Sequence, residues 1–173
     1  MGDKNLGMPR AKMRRGELRY RPIVDSDGPA LFRLFQQICA DEIATLAADA
    51  ETRDALASMQ YVEQHMRNRA QFPDAVDLAI EYDGVLCGRL LTVMRGHGLQ
   101  LVQLCVLREY RGRGIGASAM RRLARIAEEH GCRIWLPAGA GTQDCRGFLE
   151  RVGFTVTGHD GRLVVTPHVD IAA

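Results

Sequence analysis

The sequence predicts an α/β fold in which a mixed, mostly antiparallel twisted sheet is flanked by helices. Two observations predict it. Three consecutive strand-like runs between residues 75 and 107 are separated by tight turn signals, which reads as an antiparallel meander. A glycine-rich loop then opens an amphipathic helix over 116–130, and a short apolar strand follows at 132–136. At 173 residues and 46% hydrophobic, the chain can bury the core of one ordinary domain.

Folded structure is expected to begin with a short strand over 17–23. That leaves residues 1–16 as a flexible basic tail and 17–173 as a single domain. Turn residues follow at Asp25-Ser26-Asp27-Gly28-Pro29. Asp27 suits a helix N-cap, and Pro29 suits a first helical turn, where no backbone donor is needed. Leu31, Leu34, Phe35 and Ile38 then repeat at helical spacing. Asp41 to Glu51 is alanine-rich and fits either helix or loop. Thr52 to Ala70 reads as a second helix, with Leu56, Met59, Tyr61, Val62 and Met66 expected to face inward.

The pattern changes at Ala75. Residues 75–82 form the first strand of the meander, Asp83-Gly84 its hairpin turn, and 85–94 the returning strand. Arg95-Gly96-His97-Gly98 makes the next turn before a strand over 99–107. In the helix that follows, Ile115, Met120, Leu123, Ile126 and Ala127 form the apolar stripe. Arg121, Arg122, Arg125, Glu128 and Glu129 face outward, and His130-Gly131 closes the helix. Residues 144–152 make a further helix closed by Gly153, and 154–169 give one or two final strands. Arg162 to Pro167 is read as an edge strand, free to pair with a second copy in a homodimer.

Composition excludes several classes. No apolar run reaches the ~18 residues that span a bilayer, so no membrane partner is expected. Met1 to Arg15 is charged with no apolar segment behind it, which argues against a secretory signal. Five cysteines (Cys39, Cys87, Cys105, Cys132, Cys145) contain no Cys-X-X-Cys pair. They suit reduced thiols in a cytoplasmic protein without a metal. Residues 1–21 hold seven basic and two acidic residues, hence +5, against +2 for the whole chain. Without interleaved aromatics or a recognised motif, this tail argues only weakly for nucleic acid, which is not the expected partner.

The most informative stretch is Arg108-Glu109-Tyr110-Arg111-Gly112-Arg113-Gly114-Ile115-Gly116, between strand and helix. The first amides of a helix lack intrahelical partners and carry partial positive charge. Glycines let an anion approach them, and Arg111 and Arg113 add charge. The loop therefore suits a phosphate or pyrophosphate. A Walker loop needs Gly-Lys-Ser/Thr, but Ala117 follows the last glycine. Gly112-Arg113-Gly114-Ile115-Gly116-Ala117 matches the dinucleotide pattern in letters only. The next strand ends Leu136-Pro137-Ala138-Gly139, without the ribose-binding carboxylate.

The third ligand class is coenzyme A. The segment from Val106 to Gly116 resembles the central motif of the GNAT superfamily of N-acyltransferases, Arg/Gln-X-X-Gly-X-Gly/Ala between strand and helix. Phe148-Leu149-Glu150-Arg151-Val152-Gly153-Phe154 resembles that family's second signature, a helix ending in Gly-Phe. The resemblance runs from about residue 17 to 169. It implies a GNAT-like sheet, splayed near Val106 and Cys132, and an enzyme moving an acetyl group from acetyl-CoA to a primary amine. The acceptor would be a small molecule or a protein or peptide amine. By resemblance, the amides of Arg111, Gly112, Arg113, Gly114, Ile115, Gly116 and Ala117 would hold the pyrophosphate. The backbone of Cys105 and Val106 would pair with the pantetheine arm, and an amide near Cys105 would polarise the acyl carbonyl. Leu104 and Leu107 read as core.

The catalytic side of the pattern departs from the family. Where a carboxylate commonly stands, this chain has Gln100, Leu101, Val102 and Gln103; Leu149 replaces the usual tyrosine acid, and Thr142 the asparagine. Replacement candidates are His97, Cys105, Cys145, Tyr61 and His65. Packing or solvent exposure explains each at least as well as chemistry does. Tyr110 is expected to pack beneath the loop, and Arg121 and Arg122 either reach a 3′-phosphate or line a solvated helix face. The catalytic residues stay unknown, and the alternative function is a non-catalytic acyl-CoA-binding sensor or scaffold.

Overall fold

Strands β1 (Leu18–Pro22), β2 (Val76–Tyr82), β3 (Val85–Arg95), β4 (Gly98–Val106), β5 (Arg133–Pro137), β6 (Phe154–His159) and β7 (Arg162–Pro167) form one sheet. Their order is β1-β2-β3-β4-β5-β7-β6. The computed structural model describes residues 16–96, 98–137, 142–159 and 162–168. Residues 1–15 of the tail expected over 1–16, His97 and the Ala138-Gly139 strand end lie outside these.

The meander forms as the turn signals require. Asp83 and Gly84 both take positive φ, 52° and 78°, the two-residue turn whose twist matches its flanking strands. All neighbouring strands are antiparallel except β4 and β5. A parallel pair needs a crossover, and helix α3 (Ile115–Glu129) supplies it. This parallel ladder joins only Gly98–Gln100 to Arg133–Trp135. Beyond it the strands part, so the splay lies at Val106 and at Leu136–Pro137. The expectation of a splay at Cys132 is corrected: parallel strands start together, so Cys132 adjoins the zipped end. Arg162–Pro167 is corrected too. It lies between β5 and β6, and the edges are β1 and β6.

Helix α3 covers one face of the sheet. There Leu90, Leu99, Leu101 and Ile134 share a core with Ala119, Met120, Leu123 and Ala127. Ile126 is half-buried against it, and Arg122 is half-buried over the Tyr20 ring at 5.2 Å rather than facing outward. Helix α4 (Thr142–Arg151) sets Phe148 against Gly116, where an added Cβ would stand 2.9 Å from the ring.

The other face carries α1 (Gly28–Leu46) and α2 (Ala50–Gln71). The ambiguous stretch 41–51 is helical but for a short break. Asp49 caps α2 by accepting the Thr52 N–H at 2.8 Å. Leu31, Leu34, Phe35 and Ile43 are buried on α1, while Ile38 is exposed. Tyr61 ties α2 to α1 through Phe32 and Phe35, at centroid distances of 5.4 and 5.5 Å. Of the inward set expected on α2, Leu56 and Tyr61 are half-buried, and the other three are overturned. Met59, Val62 and Met66 are 62%, 54% and 66% exposed, and Ala57 is the buried residue of this helix.

Asp27 stands at the N-cap of α1 without capping it. Its two oxygens take Arg21 at 2.6 and 2.8 Å, and one also accepts the Val24 N–H at 2.9 Å. Arg21 holds the Asp27 carboxyl below the usual carboxylate range. A depressed folded pKa adds stability above the unfolded value and loses it as pH falls through the folded one. Asp27→Asn is therefore expected to cost ~2 kcal/mol at neutral pH. It should also flatten the acid limb of thermal stability below about pH 4.

Candidate functional site

After β4 the chain makes a short 3-10 turn, Arg108–Tyr110, and enters the glycine loop. Gly112 and Gly114 have φ of 75° and 79°. A side chain in that left-handed region costs about 1–2 kcal/mol, so both positions call for glycine. Gly114 is the N-cap of α3, where no side chain caps and no acidic residue occupies the first turn. The first intrahelical bond runs from the Ser118 N–H to the Gly114 carbonyl at 2.9 Å. The amides of Ile115, Gly116 and Ala117 precede it and have no partner within the helix. Gly116 has a different reason from its neighbours: it makes room for Phe148.

The loop arginines shape the loop as well as charge it. Arg111 Nε donates to the Val106 carbonyl at 3.0 Å, and Arg113 donates to the Glu109 carbonyl at 3.2 Å. The Arg113 guanidinium also lies 5.1 Å from the Tyr110 ring and 5.5 Å from that of Tyr82. Tyr110 packs edge-on against Tyr82, as expected beneath the loop. Sequence reasoning passed over Glu109, whose carboxylate accepts from Arg33 and Gln37 on α1 at 2.5 and 3.1 Å. Gln37 Oε1 in turn accepts the Arg108 N–H at 2.8 Å. Helix α1 therefore fastens the loop in place.

The ladder decides which strand amides face the splay. Leu107 donates to the Cys87 carbonyl at 2.8 Å. The Cys105 carbonyl also turns toward β3, and a Cβ on Gly88 would stand 2.5 Å from it. Backbone groups alternate sides along a strand, so Cys105 bonds β3, while the N–H groups of Leu104 and Val106 face the gap. The backbone pair facing the gap is thus Leu104 and Val106 rather than Cys105 and Val106. Strand alternation counted back from the hairpin carries this signal, although sequence reasoning assigned Leu104 to the core alone.

Side chains alternate as well. Cys105 lies on the α1–α2 face with its Sγ 3.9 Å from the Arg89 carbonyl. Burial pushes its thiol up to about 12, and that of Cys87 to about 11. Both are neutral thiols at physiological pH and poor nucleophiles. Iodoacetamide at pH 8 should therefore modify the exposed Cys145 well before either of them, as followed by peptide mass spectrometry.

Gln103 faces the same side and accepts from Arg89 Nη1 at 3.3 Å, while Gln100 is buried. Arg89 is itself buried and makes a two-pronged pair with Asp77 at 2.8 and 2.6 Å. Leu149 is 1% exposed and sits in the core, with no proton to give. Tyr61 packs on aromatic rings, with His65 at 6.3 Å, one turn along α2. Thr142 opens α4, and its side chain lies outside the described residues, as does His97. Arg121 is exposed. No cluster of three or more metal-ligating side chains stands among the described residues. No helix among them is long and apolar enough to cross a membrane.

A family model described as the acetyltransferase (GNAT) family matches residues 40–154. The chain belongs to the GNAT family. Its structure is similar to other members at low sequence identity. The PaiA N-acetyltransferase of Thermoplasma acidophilum, solved with coenzyme A, has a TM-score of 0.62 at 16% identity, covering 88% of this chain and 99% of that one. An acetyltransferase from Thermus thermophilus gives 0.56 at 19%, covering 88% and 96%. A GNAT acetyltransferase from Elizabethkingia anophelis with acetyl-CoA bound gives 0.53 at 10%, covering 87% and 98%. No curated protein matches the chain by sequence. The GNAT fold is thus shown, with its mostly antiparallel sheet flanked by helices, in a family of acyl-CoA-dependent acetyltransferases.

Proposed function

We propose that this GNAT chain moves the acetyl group of acetyl-CoA to a primary amine by direct attack. The observation that carries the reading is the open edge of β4. Two amides, Leu104 and Val106, face a gap that ends at the uncapped first turn of α3. The loop amides from Gly112 to Ala117 would hold the pyrophosphate, with the exposed Arg111 and Arg113 supplying charge at its mouth. The pantetheine arm would lie along β4 as an added strand, and the Val106 or Leu104 amide would polarise the thioester carbonyl. The amine nitrogen forms the new C–N bond and gives up a proton to water, the C–S bond breaks, and CoA leaves as its thiol after taking up a proton.

Cys105 does not serve as a relay, because its neutral thiol faces away from the gap, toward Arg89. Initial-velocity patterns should therefore intersect, as for a sequential mechanism, with no acetyl-enzyme in mass spectra. Leu149 offers no acid, so water would protonate the thiolate. A thiol with an ordinary pKa of about 8.5 leaves without strong assistance. CoA release from acetyl-CoA, measured across a panel of amines, tests the proposal. Release above background hydrolysis with any amine supports it. Acetyl-CoA binding with no turnover across the panel would assign the chain to cofactor sensing or scaffolding instead.

A further inference from the structure

Helix α2 buries Ala57 and packs Tyr61 on α1, yet leaves much of its apolar surface in solvent. Its apolar stripe, Met59, Val62 and Met66, faces solvent. The inner side of the helix carries Ala57 and Tyr61 and then, toward the C-terminal end, Gln64, His65, Asn68 and Arg69. A helix packed down on a sheet buries its apolar side. Here α2 leans on α1 through Tyr61, and its C-terminal half roofs a cleft of about 600 Å³ above β1, β2 and β3.

The cleft has a definite chemistry. Its walls are apolar at Pro22, Ile23, Phe72, Val76, Leu78 and Leu91. Asp77 and Arg89 form its floor and neutralise one another. His65, Asn68 and Arg69 stand along the roof, so the lining carries a net positive charge from Arg69. Three of the five Arg89 N–H groups are taken, two by Asp77 and one by Gln103, and two remain. Arg89 also lines a separate recess of about 10 Å³ with Gln103, Cys105 and Tyr61, which lies between the cleft and β4.

We infer that this cleft seats the acceptor, and that the acceptor is a small primary amine whose apolar body carries a carboxylate. The inference rests on the acetyltransferase reading above. The carboxylate meets Arg69 and the spare Arg89 donors, the apolar body meets the walls, and the amine end points toward β4, past the Arg89 and Gln103 side chains. A pocket of this size, mostly apolar with a few placed polar groups, is of the kind that holds small molecules.

The test has two independent readings. Calorimetric titration of the CoA-saturated protein with hexanoate, hexanol and hexylamine reads the cleft without turnover. Hexanoate should bind at least tenfold more tightly than either of the others, and both Arg69→Gln and the cleft-filling Ala75→Trp should abolish that preference. In turnover, 6-aminohexanoate should be preferred over hexylamine through a lower KM, with the preference lost in Arg69→Gln. Thermal stabilisation by acetyl-CoA reports the glycine loop separately and should persist in both variants. Equal binding of the three probes overturns the cleft's assignment, whatever acetyl-CoA does. Hexanoate binding without a turnover preference for the amino acid overturns the acceptor role and makes the cleft an effector site. Loss of acetyl-CoA stabilisation in the unmodified protein overturns the enzyme reading instead.

Discussion

Gly114→Glu is expected to abolish the stabilisation of this protein by acetyl-CoA. A ligand at about a hundredfold above its dissociation constant adds ~2.7 kcal/mol to the native state. In a chain of this size, that raises Tm by roughly 5–10 °C. The substitution acts twice. It places a Cβ where φ is 79°, and it sets a carboxylate beside amides that have no intrahelical partner. Gly114→Ala separates the two effects. It should lower the basal Tm through the same backbone strain, about 1–2 kcal/mol, yet retain much of the acetyl-CoA shift. NAD and ATP should stabilise neither protein. If Gly114→Glu still responds fully to acetyl-CoA, the pyrophosphate does not sit at this helix start. The assignment of the loop would then be withdrawn.

The second large effect concerns Arg89. Burial alone would lower its pKa, and the Asp77 carboxylate more than restores it, so the ion pair is fully formed. Arg89→Met leaves Asp77 with no partner at the floor of the cleft. Breaking a buried pair from one side costs about 3–5 kcal/mol. Because Asp77 is 28% exposed on its side chain, about 2–3 kcal/mol is expected here. Asp77→Leu should cost a comparable amount, since it strands a guanidinium whose side chain is only 8% exposed. The double variant should be more stable than Arg89→Met alone, because it removes both charges together. Urea midpoints for the four proteins read out this coupling. Additive losses would mean that the two side chains do not hold one another.

Legibility followed local rules. Turn chemistry gave the meander, since Asp83-Gly84 admits few alternatives, and the glycine loop announced a helix start waiting for an anion. The α3 stripe read correctly because one wide apolar face against a sheet is what periodicity detects. Periodicity failed on α2, where Met59, Val62 and Met66 follow helical spacing but point outward. An apolar stripe says which side of a helix differs from the other, and only tertiary contacts say which side is inside. The reading of Arg162–Pro167 as an edge strand failed for a related reason. Strand order depends on which hairpin partner returns to the sheet, and the letters do not contain it. Asp27 was placed at a helix start, but its partner Arg21 lies on the preceding strand and outcompetes the cap. Cys105 and Leu104 were told apart only by the hydrogen-bond parity of the ladder.

The ladder between β4 and β5 is only three residues long, and α3 spans it. Four strands lie on one side of it and three on the other. A molecule held at the open end would bridge the two halves. Binding there would slow amide hydrogen exchange in β6 and β7, strands it never touches.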